Sequence, residues 1–137
     1  MSIKQLDHLN MTVKDLEQSI EWYVRIFGFE EVERGNRDGT DWAIIKSGEA
    51  MLCIYQHPDR IGPQRFLKDN ANRHAIYHFG FRITDKDAWL KIVNENDLEL
   101  EFGGEVDYLH SKSWYVSDPS GYSIEVVHWS QDQIAFG

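Results

Sequence analysis

The sequence predicts an α+β fold built from two βαβββ modules, with the helices on the outer face of a mixed sheet. The strand-like segment "LDHLNMTVKD" at residues 6–15 returns as "IYHFGFRITD" at residues 76–85, with apolar residues at the same positions. A helical pattern follows each copy, and three strand-like runs follow each helix. The length of 137 residues suits one domain. We therefore expect a single domain over 1–137, with module one at about 3–57, a linker at about 58–74 and module two at about 75–129.

Apolar and polar residues alternate in both copies of the first strand. Leu9, Met11 and Val13 share one face, and their counterparts lie 70 residues further on. Because strand side chains alternate between faces, the apolar face should carry the helices. The opposite face presents His8, Asn10 and Thr12 in the first copy, and His78, Gly80 and Arg82 in the second.

The segments after these strands predict one helix each. In "KDLEQSIEWYVRIFGF", apolar residues recur every three or four positions. Asp15 suits the N-cap and Gly28 the end of the helix. In "TDKDAWLKIVNENDLEL" the same plan recurs, with Asp85 or Thr84 as the cap.

Three strand-like runs complete each module. They read "FEEVERGN", "TDWAIIKSG" and "AMLCIYQ" in the first, and "LELEFGGEV", "SKSWYVSD" and "YSIEVVHW" in the second. Gly-containing turns between the last two runs predict hairpins. From Trp42 onward an offset of 72 residues aligns the halves, so that Trp42 matches Trp114 and Cys53 matches Glu125.

Composition excludes several classes of partner. The chain has 14 Lys and Arg against 23 Asp and Glu, a net charge of -9, and a surface this acidic repels nucleic acid and anionic lipid. No apolar run is long enough to span a membrane, and "MSIKQLDHLN" lacks a signal-peptide pattern. The single cysteine, Cys53, has no internal disulfide partner. We therefore expect a cytoplasmic protein.

Three side chains of the polar strand faces predict a metal site. His8 and His78 hold equivalent repeat positions, and Glu125 lies between two apolar residues on the last strand. Two imidazoles and one carboxylate with open positions favour a divalent iron, manganese, nickel, cobalt or zinc ion. A lone strand histidine is more often hydrogen-bonded or exposed. That reading applies to the remaining histidines, which are His57, His74, His110 and His128.

The segments "LDHLNMTV", "IYHFGFRI" and "DPSGYSIEVVHW" together resemble the vicinal oxygen chelate superfamily, which includes glyoxalase I, bleomycin-resistance proteins, fosfomycin-resistance thiol transferases and extradiol dioxygenases. The resemblance runs from Ile3 to Trp129. It implies paired modules whose strands curl into a cupped sheet around a metal ion, with His8, His78 and Glu125 as its ligands. It also implies a homodimer, with sites shared between chains.

The chain departs from the glyoxalase I pattern at Cys53. That enzyme resembles this chain but carries a fourth ligand, usually a Glu linked to proton transfer, at this position. Cys53 is a candidate fourth ligand, and the alternative is a small apolar filler. Strand parity adds pocket candidates, which are Asn10, Thr12, Met51, Cys53, Tyr55, Arg82 and Trp114.

Two of these candidates carry groups suited to catalysis. Arg82 could clamp a substrate carboxylate or phosphate, and the alternative is a salt bridge to one of the many acids. Tyr55 could donate a proton or hydrogen bond to substrate, and the alternative is packing.

The leading hypothesis is a metal-dependent enzyme of glyoxalase I type, a lyase or isomerase acting on a small oxygenated substrate bound directly to the divalent ion. One alternative is an extradiol-type dioxygenase, which the ligand set permits with iron(II). Another is a non-catalytic protein that sequesters a cationic drug, in keeping with the acidic composition.

Overall fold

The computed structural model describes residues 1–62, 74–134 and 136 of the chain. They belong to two compact units, Met1–Pro63 and Gln64–Gly137. Most of the predicted linker, residues 58–74, lies outside the described residues. The elements of the first unit are β1 (Leu9–Val13), α1 (Leu16–Phe27), β2 (Glu30–Arg37), β3 (Thr40–Ser47) and β4 (Ala50–Gln56). Those of the second are β5 (Phe79–Ile83), α2 (Lys86–Glu95), β6 (Val106–Asp107), β7 (Ser111–Ser117) and β8 (Ser123–Trp129).

Each unit contains a four-stranded mixed sheet. The strand orders are β1-β4-β3-β2 and β5-β8-β7-β6. In both sheets the first strand of the unit runs parallel to its last strand, and the other neighbours are antiparallel. The predicted α+β class and the βαβββ order are therefore confirmed.

The helices begin and end as their sequences indicate. The Asp15 carboxylate accepts a hydrogen bond from the Gln18 N–H at 2.9 Å, and Asp85 accepts one from Ala88 at the same distance. Gly28 ends α1 in the left-handed conformation, with φ of 64°, which a residue without Cβ adopts at little cost. These caps fix where each helix starts after the polar-faced strand.

Strand pairing reproduces the repeat at the level of single residues. Asn10 pairs with Cys53 between β1 and β4, and Gly80 pairs with Glu125 between β5 and β8. The first strands are thus related by an offset of 70 residues and the last strands by 72, as predicted. Cys53 and Glu125 consequently hold equivalent places in their units.

The apolar strand faces form the cores. Met11, Val13, Leu52 and Ile54 are buried in the first unit, together with the inner face of α1. The buried residues of the apolar face and helix of the second unit are Trp89, Trp114, Val116, Ile124 and Val126, and Tyr115 is also buried. None of the helices within the described segments is long and apolar enough to cross a membrane.

The strand predicted for "LELEFGGEV" is mostly absent. A 3-10 turn spans Glu101–Gly103, and β6 is reduced to Val106–Asp107. Phe102, Gly103 and Gly104 have φ values of 56°, 77° and 113°. Since three successive positive φ angles are incompatible with an extended strand, the segment turns instead of pairing.

Trp114 also requires a correction, because it does not lie on the face of Glu125. It pairs with Val126 and is 1% exposed, whereas Tyr115 pairs with Glu125. Directly paired residues share a face, so Trp114 belongs to the core and Tyr115 faces the predicted site. The cause is hairpin length: Lys46 pairs with Met51 in the first unit, but Ser117 pairs with Ser123 in the second, one residue further apart.

Candidate functional site

His78 and Glu125 meet on the open face of the second sheet. His78 precedes β5, Glu125 is in the middle of β8, and the parallel pairing of these strands brings the side chains together. His78 Nε2 lies 2.8 Å from Glu125 Oε2, with the side chains 28% and 19% exposed. One imidazole nitrogen and one carboxylate oxygen therefore converge at a partly water-accessible point.

Neighbouring groups fix the orientation of both side chains. The Ser113 hydroxyl, on a fully buried residue, donates to Glu125 Oε1 at 2.7 Å. The His78 ring packs edge-on against the Tyr115 ring, with centroids 5.5 Å apart and planes at 88°. Among the described residues, His78 Nδ1 is buried without a hydrogen-bond partner. Nε2 is thus the ring nitrogen that is directed at Glu125.

Ser113 and Tyr115 were not predicted as site residues. Both lie on the Glu125 face of β7, and the parity of "SKSWYVSD" separates them from Trp114. The length of the turn decides which set faces the site. Asp118 closes this turn by accepting hydrogen bonds from the Ser120 and Tyr122 N–H groups, both at 2.9 Å.

Tyr115 connects Glu125 with a second phenol. Its hydroxyl lies 2.8 Å from the Tyr108 hydroxyl. Burial, the Tyr108 hydrogen bond and the negative charge of Glu125 together raise the pKa of Tyr115 well above its ordinary value of 10. Tyr115 therefore remains a neutral hydrogen-bonding group beside the carboxylate at physiological pH.

We expect Tyr115 to ionise late in an alkaline titration. Because its folded-state pKa is above the unfolded value, its contribution to stability is complete below about pH 10 and is lost as the pH rises further. A pH titration followed by absorbance at 295 nm should show one tyrosine that ionises well above pH 10, and Tyr115→Phe should remove this ionisation. Tyr77→Phe, which removes a 60% exposed ring, is the control, and an unchanged late step in Tyr115→Phe would contradict the assignment.

His8 occupies in the first unit the position that His78 has in the second. It lies two residues before Asn10, the partner of Cys53. The Asp7 carboxylate is 2.7 Å from His8 Nδ1. His8 is exposed and Cys53 is half-buried. Burial and then the charge of Asp7 raise the pKa of the Cys53 thiol.

The other predicted pocket residues of the first unit share the Cys53 face. Thr12 pairs with Tyr55 and Met51 follows the same alternation on β4. The Tyr55 ring lies beside Trp42, with centroids 6.4 Å apart. In the second unit, Arg82 is exposed and donates to the backbone carbonyl of Asp132.

Within either unit, no three His, Cys, Asp or Glu side chains of the described segments lie close enough to hold a metal ion. The second unit unites two of the three predicted ligands, His78 and Glu125. The convergence of His8 with that pair stays a prediction.

Comparison with known proteins identifies relatives along most of the chain. The profile of the Glyoxalase/Bleomycin resistance protein/Dioxygenase superfamily matches residues 5–126. Metallothiol transferase FosB of Staphylococcus epidermidis is 26% identical over 128 residues, which are 92% of this chain and 82% of the relative.

Solved structures show the same fold. A glyoxylase/bleomycin resistance protein/dioxygenase domain from Frankia sp. EAN1pec has a TM-score of 0.76 at 19% identity, covering 96% of both chains. A mutant of the fosfomycin resistance protein FosX from Listeria monocytogenes, complexed with Mn(II) and 1S,2S-dihydroxypropylphosphonic acid, has a TM-score of 0.72 at 17% identity, again covering 96% of each. The family profile spans most of the sequence, and the fold agrees with it. The chain belongs to the Glyoxalase/Bleomycin resistance protein/Dioxygenase superfamily.

Proposed function

We propose that this chain is a metal-dependent enzyme that holds a divalent ion through His8, His78 and Glu125 and acts on a small oxygenated substrate. The observation that carries the proposal is the His78–Glu125 pair, whose Nε2 and Oε2 atoms are 2.8 Å apart on one face of the second sheet. A catalytic role also agrees with the FosB relative, which is named as a transferase.

The donor set fits a borderline divalent ion. An imidazole nitrogen and a carboxylate oxygen are the ligands such ions accept, and the ion would replace the proton that now links His78 to Glu125. Ser113 holds the second carboxylate oxygen at 2.7 Å, as outer-shell donors commonly do around ligating carboxylates. Mn(II) is present in the FosX complex, and manganese is among the ions expected here.

The sequence repeat supports His8 as the third ligand. His8 stands two residues before the Cys53 partner, as His78 stands two residues before the Glu125 partner. Asp7 holds its Nδ1 at 2.7 Å, and a carboxylate in that position commonly orients a metal-binding histidine. Cys53 remains a candidate fourth ligand.

When bound, the ion would stabilise negative charge that develops on substrate oxygens. The residues of this chain would position the ion: Ser113 fixes the Glu125 carboxylate, and the Tyr115 ring packs against the His78 ring. The open side of the pair is left for substrate.

Thiol transfer to a small substrate is the finer activity we favour, because FosB is a metallothiol transferase. Isomerisation of the glyoxalase I type, expected from the sequence, is the second candidate. It would need a proton acceptor at the Cys53 position, and burial raises the pKa of that thiol. A largely protonated thiol is a poor base at neutral pH.

We also propose a homodimer with shared sites. Leu6 and Ile76 are 81% and 80% exposed and each lies two residues before a proposed ligand histidine. Apolar side chains in these positions would be covered by a second subunit.

Metal analysis followed by a substrate screen tests the function. Purified protein should carry a divalent ion, and the ion-loaded form should consume a thiol with a small epoxide, followed by NMR. Loss of hemithioacetal absorbance would instead indicate isomerisation, and oxygen uptake with catechols would indicate dioxygenation. Failure of the protein to bind any divalent ion would overturn the proposal.

A further inference from the structure

A groove of about 470 Å³ opens in the second unit. Tyr115 forms one wall of the groove and also contacts His78. Tyr115 is therefore the residue that the groove shares with the surroundings of His78. The lining residues are Phe102, Glu105, Val106, Asp107, Tyr108 and Tyr115.

Aromatic rings form much of this lining. Phe102 meets Tyr115 edge-on with centroids 5.0 Å apart, and it does so from a backbone with φ of 56°. A residue with a Cβ is strained in that conformation. Phe102 and Tyr108 are nevertheless 57% and 49% exposed, so the strained turn presents ring surface to the groove instead of burying it.

Among the described residues that line the groove, the charged groups are the carboxylates of Glu105 and Asp107. Lys112 and Lys86 bind Glu105 at 2.6 and 3.1 Å, and the hydrogen bond from Lys112 lowers the pKa of Glu105. Glu105 is thus ionised and already paired. Asp107 has a 3.4 Å contact to Lys112 and a side chain that is 77% exposed, so its carboxylate keeps room for another partner.

We propose that this groove binds an ammonium-bearing part of the substrate or co-substrate. Aromatic faces attract organic cations, and the exposed Asp107 carboxylate is a complementary partner for a cation. An anionic group such as a phosphonate would meet two carboxylates in the described part of the lining, whose lysine partners, Lys86 and Lys112, are not among the lining residues. The role in substrate binding rests on the proposed function, whereas the binding of a cation does not require the metal.

Ligand titrations of the metal-free protein test the groove by itself. The probes are benzyltrimethylammonium, benzyl alcohol and benzylphosphonate, followed by backbone amide NMR shifts at Val106, Asp107 and Tyr108 in EDTA-treated protein. The cation should bind at this segment at least about five-fold more tightly than the alcohol, and the phosphonate more weakly than both. Tighter binding of the phosphonate, or no saturable shift with the cation, would overturn the proposal.

Two variants distinguish a specific loss of cation binding in the groove from a general loss of structure. Asp107→Asn should weaken cation binding about five-fold, as loss of one exposed charge partner permits. Phe102→Gly should weaken it while keeping the turn, since glycine tolerates the positive φ. Glu99→Gln, an exposed position outside the lining, is the charge-matched control. Equal affinity in Asp107→Asn and Glu99→Gln would contradict the proposal, and ion binding by the same protein tests the metal centre separately.

Discussion

Glu125→Gln is expected to lower the affinity for Mn²⁺ at least ~100-fold, because mutation of outer-shell partners alone typically costs 10- to 100-fold. Glutamine keeps the size of the side chain, and its single amide oxygen can still accept the hydrogen bond from the Ser113 hydroxyl while the amide N–H group faces His78. It lacks the negative charge that a divalent ion requires. Isothermal titration with Mn²⁺ on EDTA-treated protein measures the difference.

Matched variants show whether the loss is local. Glu95→Gln removes an exposed carboxylate that pairs with Lys91 on α2 and should leave ion affinity unchanged. Ser113→Ala should give an intermediate loss of about ten-fold, because Ser113 orients the Glu125 carboxylate without contacting the ion itself. Full ion occupancy in Glu125→Gln would remove Glu125 from the proposed centre.

The repeat in the sequence predicts the fold because the repeated residues are those that are buried in the core or that cap the helices. Met11 and Val13 recur as apolar residues 70 positions later, and Asp15 and Asp85 both cap helices. Burial of an alternating face and hydrogen-bonding of the first helical turn are local demands. The same pattern also aligns Cys53 with Glu125, which strand pairing reproduces.

Features that depend on turn geometry were harder to predict. "LELEFGGEV" alternates like a strand, yet the left-handed residues Phe102–Gly104 end it. One extra residue between Ser117 and Ser123 changes which face of β7 meets Glu125, since a shift of one residue exchanges the two faces of a strand. Ser113 and Tyr115 were missed for this reason. The proposed approach of His8 to the other ligands would depend on packing beyond a single unit, which no local pattern encodes.

Trp114→Ala is expected to destabilise the fold by about 3–5 kcal/mol, the range for removal of a buried aromatic side chain. The ring is 1% exposed and lies on the face of Val126, which is fully buried. Its loss should leave a cavity in the core of the second unit that nearby side chains fill only in part. Chemical denaturation with circular dichroism measures the change in the free energy of unfolding.

Trp42→Ala is the comparison variant that shows whether Trp114 lies in the core or in a pocket. Trp42 is half-buried and pairs with Tyr55 on the open face of the first sheet, so its removal exposes less apolar surface and should cost less stability. If Trp114 lined a substrate pocket, its replacement would instead change ligand binding and leave unfolding nearly unaltered. A loss of stability below that of Trp42→Ala would therefore contradict the core position of Trp114. The larger loss is expected, because the longer β7–β8 turn places Trp114 on the buried face of β7.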